Sequence, residues 1–246
     1  MSNLRQLRRA IRFLLREREP ADAMAAYYAL HHAEERTTLV AAPEERPAGY
    51  VALSRTGIDL FRPLVTMRLP TDHAADATEA AARLIRQALG PGQPVILSIP
   101  SRYLPLIQAL FDIQSEERLR LYALDPARFE PIINVLVTRS LGPGNLPRYI
   151  IRSTQSGEEE VVASASLNWQ SPAFAEIAVN TRPQHRRQGW GRSVVAAISQ
   201  ELLDSGRAPL YVVAEDNDAS IHLAESVGFV DTGVREIMLQ ATLKER

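Results

Sequence analysis

Apolar positions along this chain switch between helical and strand spacing. Leu4, Leu7, Ile11, Leu14 and Leu15 recur every three or four residues, which predicts a helix over 3–18 that ends at Pro20. Residues 21–33 read as a second helix. Strand-like runs follow at 36–43, 49–56 and 63–70, separated by turn formers. A helix over 77–89 stops at "GPG" (90–92), and the short apolar run 94–100 reads as a buried strand. The spacing then predicts a helix over 103–113 and strands at 118–125 and 132–139.

"LGPGNLP" (141–147) holds two glycines and two prolines, and it is the candidate junction between a domain at 1–140 and another at 141–246. After it come strands at 148–154, 159–169 and 173–181. A helix then opens at "GWGRS", with Val194, Val195, Ile198 and Leu202 on one face. A buried strand at 208–215 leads to a helix over 217–228, with Asn or Asp as its N-cap and Gly228 at its end. Two final strands are expected at 229–233 and 235–243. Both halves thus run three strands, helix, strand, helix, two strands, so the pattern predicts a duplicated α/β (α+β) fold. Residue identity between the halves is low.

Composition narrows the function classes. Hydrophobic residues make up 46% and charged residues 23%, as in an ordinary globular protein. A net charge of −1 and only 6% aromatic residues argue against nucleic acid as a partner. The absence of cysteine removes disulfides, thiolate nucleophiles and thiolate metal sites, and no metal is expected. No run approaches the roughly 20 apolar residues needed to cross a bilayer, and arginines break up the N-terminus, so a cytoplasmic protein without a membrane partner is expected. Lys244 is the only lysine in an arginine-rich chain.

The candidate chemistry lies in "HRRQGWGRS" (185–193), between a strand and a helix. The first amides of a helix have no internal acceptor, and the helix dipole makes that end an anion seat. Glycine lets an anion approach the backbone, and Arg186, Arg187 and Arg192 add charge. The segment reads either as a pyrophosphate cradle or as a glycine-rich turn with solubilising arginines. The P-loop pattern fails for want of the following lysine and Ser/Thr. The dinucleotide fingerprint fails because its third glycine is Val194.

A second segment, "NDASIHLAESVGF", begins at Asn217. Together the two resemble the GNAT N-acetyltransferase superfamily over about 147–243. The first family motif is Arg or Gln, two residues, Gly, one residue, Gly or Ala, and here it is met by Arg186, Gly189 and Gly191. Asn217, Ser220, Leu223, Gly228 and Phe229 match the second. The resemblance implies tandem GNAT-like domains and an acetyl-CoA or other acyl-CoA cosubstrate. It implies pantetheine against Val179, Asn180 and Thr181, and pyrophosphate on Arg187, Gln188, Gly189, Trp190, Gly191 and Arg192. Asn217 and Ser220 would complete the cofactor site. The two-part layout is similar to that of glycine N-acyltransferase-like proteins, in architecture only.

Acyl transfer to an amine needs a base, because an amine with a pKa of about 10 is protonated at neutral pH. Glu176 is the candidate base, with Glu215 and Asp216 behind it. Strand alternation leaves two readings of Glu176, toward a bound thioester or on the inert opposite face. The tyrosine that the resemblance implies after Leu223 is Ala224, so the general acid is unassigned; His222 and Tyr211 are substitutes with nothing to position them. In the first half the segment that overlies the cradle is "TDHAAD" (71–76), whose aspartates would repel a pyrophosphate. The expectation is a degenerate first domain, one acyl-CoA per chain, and an N-acyltransferase acting on a small-molecule or peptide amine. A non-catalytic acyl-CoA sensor or scaffold is the alternative.

Overall fold

The structure is a computed structural model that describes residues 4–57, 59–70, 76–154 and 159–245. Residues 71–75, most of the segment set against the cradle, lie outside the described residues. Two compact units are present. Met1–Leu119 with Arg235–Arg246 form the first, and Arg120–Val234 the second.

In the first unit, β1 (Thr37–Ala42), β2 (Gly49–Ser54) and β3 (Leu64–Arg68) form an antiparallel meander. α3 (Asp76–Ala88) then crosses over to β4 (Pro94–Pro100), which runs parallel to β3. The next strand is Glu236–Thr242, antiparallel to β4. Alternation sends Tyr50 and Ala52 to one face, where Ile11 of α1 (Leu4–Ile11) and Ala25 and Ala26 of α2 (Ala23–Ala26) join them. Val51, Val65 and Met67 point the other way, into a cluster with Leu84 and Ile85 of α3. Helices on both faces explain why five of the six residues of β2 are buried.

In the second unit, β6 (Val137–Leu141), β7 (Pro147–Ser153), β8 (Glu160–Gln170) and β9 (Phe174–Thr181) are antiparallel neighbours, and β9 is parallel to β10 (Ala208–Ala214). With β5 (Phe111–Leu124) and β11 (Phe229–Leu243) the strand order is β6-β7-β8-β9-β10-β5-β11. α5 (Trp190–Asp204) packs on β7, β8 and β9, and α6 (Asp218–Val227) on α5 and β10. Val194, Val195, Ile198 and Leu202, the apolar face seen in the sequence, are all buried here with Ala165, Ile177 and Tyr211. Each such side chain contributes roughly 1.5–3 kcal/mol by burial.

Several elements differ from the sequence pattern, each for a local reason. Between the predicted helix 103–113 and strand 118–125, the helix α4 stops at Leu104–Leu110 and the strand β5 takes the residues from Phe111 on. The expected strand at 132–139 begins only at Val137, because Asn134 makes a turn: its Oδ1 accepts from Leu136 N at 3.0 Å and its carbonyl from Val137 N at 3.0 Å. The two final strands are one, β11, which continues through Gly233 at φ 78°. "LGPGNLP" is the turn joining β6 to β7, closed by Gly142 N donating to Leu146 O at 2.8 Å. The division therefore falls at Leu119/Arg120, and at Val234/Arg235, whereas Gly/Pro composition points to 140/141. β5 and β11 each pass from one unit to the other along their length, which no turn residue marks.

Candidate functional site

The strand β9 hands the chain to α5 through a short 3-10 turn, Pro183–His185. Arg187 (φ 62°) and Gly189 (φ 76°) then sit in the left-handed region on either side of Gln188. These reversals turn the backbone so that α5 starts at Trp190 with Gly189 as its N-cap. A glycine cap has no side chain to satisfy the first-turn amides, which stay available to an outside acceptor. Gly191 serves differently. A Cβ there would lie 3.2 Å from Thr181 Oγ1 and 3.3 Å from Leu223 Cδ2, so any larger residue would push these groove side chains aside by a few tenths of an ångström.

A groove of about 730 Å³ opens at this helix start. Val179, Asn180 and Thr181 form one wall, and Arg186, Arg187, Gly189, Trp190, Gly191 and Arg192 form the end nearest the loop. Asn217, Ser220, His222 and Leu223 of the α6 segment form the other wall. Among the described residues no carboxylate lines it, so the chain's near-neutral net charge hides a strongly cationic groove. Of the residues expected at the cofactor, Gln188 is the one outside the lining. His185 is 6% exposed and stacks on Trp190 with centroids 5.1 Å apart and planes at 20°. Its Nε2 lies 3.9 Å from Glu160 Oε1, and its Nδ1 has no hydrogen-bond partner among the described residues. The stack fixes Trp190 at the groove and could be found only in three dimensions.

The strand that gives the groove Val179, Asn180 and Thr181 pairs with β10 only before those residues. β9 and β10 are in register from Phe174↔Ala208 to Glu176↔Leu210, and both strands run on past that last pair. Glu176 and Leu210 share one face. Ala175, Ile177 and Tyr211 share the other and belong to the core that holds α5 and α6. Glu176 is 6% exposed and does not line the groove. Asn168 Nδ2 donates to its Oε1 and Trp169 Nε1 to its Oε2, each at 2.6 Å. A bulge between Leu167 and Trp169 on β8 places both donors opposite Glu176. Burial pushes the Glu176 carboxyl above the usual carboxylate range, and these two hydrogen bonds oppose the shift.

Residues 160–237 match the family model described as FR47-like protein. The Escherichia coli (strain K12) protein named [Ribosomal protein bS18]-alanine N-acetyltransferase is 33% identical over 90 residues, 36% of this chain and 60% of that one. The chain thus spans less than two thirds of the length of that curated relative. A GCN5-related N-acetyltransferase-like protein from Streptococcus suis matches 96% of this chain and 98% of its own, with TM-score 0.60 and 15% identity. A tandem GNAT protein from the clavulanic acid biosynthesis pathway matches 99% and 95%, with TM-score 0.61 and 13% identity. The chain has the tandem GNAT fold.

In this GNAT fold the second motif sits on α6. Asn217 caps the helix, its Oδ1 accepting from Ser220 N at 3.1 Å, and Gly228 ends it at φ 108°. A Cβ at Gly228 would meet Arg128 O at 2.9 Å, so this glycine is needed for both conformation and space. Ala224 is fully buried in the core. Tyr211, 2% exposed, sends its hydroxyl from β10 to within 2.7 Å of Ser220 Oγ. His222 is exposed on the rim of the groove. No helix among the described residues is long and apolar enough to cross a membrane.

Proposed function

We propose that this chain is an acyl-CoA-dependent N-acyltransferase, moving an acetyl group from acetyl-CoA to an amine by direct attack. One observation carries the reading: an arginine-rich groove, with no carboxylate lining it among the described residues, begins at the start of α5 and is walled by the stretch of β9 beyond its last pair with β10. A polyanion tied to an extended, neutral arm fits that order of features. The pyrophosphate sits on the amides of Arg187 to Arg192 with Arg186, Arg187 and Arg192 around it. The pantetheine arm lies along Val179, Asn180 and Thr181, whose backbone passes the last pair with β10. The thioester then reaches the end of the β9–β10 pairing, where strand-end amides are placed to accept the negative charge of the tetrahedral intermediate.

Glu176 is the base in this reading. Its raised pKa suits a group that must take a proton near neutral pH, and its face of β9 is where the amine arrives. The carboxylate has lone pairs left after the two hydrogen bonds from Asn168 and Trp169. The first unit is the degenerate copy and carries no acyl-CoA, so one cosubstrate binds per chain. The acceptor is an amine of a small molecule or a peptide. The bacterial relative is named for an alanine of a ribosomal protein as its acceptor, which makes a peptide N-terminus the amine to try first. The proposal places the protein in the cytoplasm.

Buried Ala224 favours a second reading, a non-catalytic acyl-CoA-binding scaffold. Thiol release from acetyl-CoA with a panel of peptide and small amines separates the two. Turnover with any amine supports the transferase; tight acetyl-CoA binding without thiol release from any of them supports the scaffold.

A further inference from the structure

We infer that Ser220, backed by Tyr211, is the hydrogen-bond donor to the departing thiolate, in the role left vacant by Ala224. The inference rests on the acyl-CoA reading of the groove. Ser220 lines the groove one helical turn before Ala224, so residues 220 and 224 share a face of α6. A long side chain at 224 would lean back over the turn that holds Ser220. Ala224 is too short to reach that turn, and Tyr211 reaches it from β10. Its ring tilts against Phe229 with centroids 5.6 Å apart, and its hydroxyl stops 2.7 Å from Ser220 Oγ.

The direction of that hydrogen bond follows from satisfaction. Tyr211 is 2% exposed, and Ser220 Oγ is the acceptor within reach of its hydroxyl among the described residues. The phenol therefore donates to Ser220 Oγ, because the reverse would leave a buried O–H unmade. Burial also raises the Tyr211 pKa, so the phenol keeps its proton through the neutral range. Ser220 accepts from Tyr211 and turns its own O–H toward the groove. A hydroxyl that accepts from a phenol is polarised and donates more strongly.

The step balances without a further reactant. The amine nitrogen bonds to the carbonyl carbon and its proton passes to Glu176. The C–S bond breaks with its electron pair on sulfur, which accepts the Ser220 O–H; neither hydroxyl loses its proton. The thiolate takes its final proton from water after release.

The test needs no acceptor. Wild-type protein, Ser220→Ala and Tyr211→Phe are first titrated with CoA by calorimetry, and the thiol of bound CoA is then titrated with pH by its ultraviolet thiolate absorbance. The inference predicts that wild-type protein makes the bound thiol more acidic than free CoA. At CoA concentrations that saturate each protein, Ser220→Ala should lower its acid dissociation constant about tenfold, with a smaller change in the same direction for Tyr211→Phe; whatever affinity Ser220→Ala loses, the thiol shift is read on the bound fraction. Wild-type protein that fails to bind CoA overturns the acyl-CoA reading and this inference with it. Binding with the same thiol titration in wild type and Ser220→Ala overturns the inference alone.

Discussion

Glu176 and Leu210 form the last registered pair between β9 and β10, and the carboxylate there is held by Trp169 Nε1 and Asn168 Nδ2 at 2.6 Å each. In the proposed mechanism this buried acid is the general base. Replacing it with glutamine should lower turnover by about 10²–10⁴-fold, the usual contribution of a general base, with little change in acetyl-CoA affinity. Steady-state kinetics beside calorimetric titration would show this. An unchanged turnover would remove Glu176 as the base.

The pH dependence follows from the same carboxyl. Its pKa is raised chiefly by burial, and the base works only when ionised, so kcat/KM should rise with pH along a limb above the usual carboxylate range. Trp169 donates to the ionised form and so lowers the pKa; Trp169→Phe should move that limb to higher pH. For stability the sign is reversed. The folded carboxyl holds its proton more tightly than the unfolded one, so its contribution to stability is lost as pH rises from the unfolded value through the folded one. Denaturant midpoints of wild type and Glu176→Gln across that window should differ in this slope.

The two loop glycines should fail in different ways. Gly189 has nothing within 4 Å of where an added methyl would sit but holds φ 76°, so Gly189→Ala should cost about 1–2 kcal/mol through backbone strain. Gly191 has no positive φ to protect, but its Cβ would press on Thr181 and Leu223, both groove residues. Gly191→Ala should weaken acetyl-CoA binding more than it lowers the unfolding midpoint. Thermal unfolding with and without acetyl-CoA distinguishes the two.

The C-terminal part of β11, from Arg235 on, belongs to the first unit. Ile237, Leu239 and Ala241 are buried against β4 and its neighbours, in a cluster with Leu97 and Ile99. Leu239→Ala should destabilise the protein by about 2–5 kcal/mol, as for other buried leucines. Hydrogen exchange should show the loss in the amides of β4, some 140 residues away in sequence by the Leu239↔Leu97 pairing. Protection unchanged in β4 would count against this placement.

Periodicity is enough to read β1 to β4, α3 and the run from β7 to α6, because each is short, bounded by turn formers and buried on a regular face. It does not separate α4 from β5, since the stretch 110–113, apolar except for Asp112, is too short for its spacing to decide between helix and strand. Gly/Pro composition marks the turn at 141–147 but does not tell a hairpin from a linker. The loop residues from Arg186 to Arg192 are legible through local chemistry: glycines where the chain reverses, arginines beside a helix start. The His185–Trp190 stack and the Tyr211–Ser220 contact are not, because each joins side chains whose meeting depends on packing. Strand alternation alone leaves Glu176 open between two faces, and the β9–β10 register fixes which one it takes.

The central claim is that the groove at the start of α5 takes an acyl-CoA. Calorimetric titration of wild-type protein and of the paired change Arg187→Glu with Arg192→Glu, against acetyl-CoA and against ATP, tests it most directly. The account predicts heat that saturates at one acetyl-CoA per wild-type chain, and affinity for acetyl-CoA reduced at least a hundredfold by the paired change, with the fold intact by circular dichroism. No acetyl-CoA binding, binding of ATP in its place, or acetyl-CoA affinity untouched by the reversed charges would contradict it.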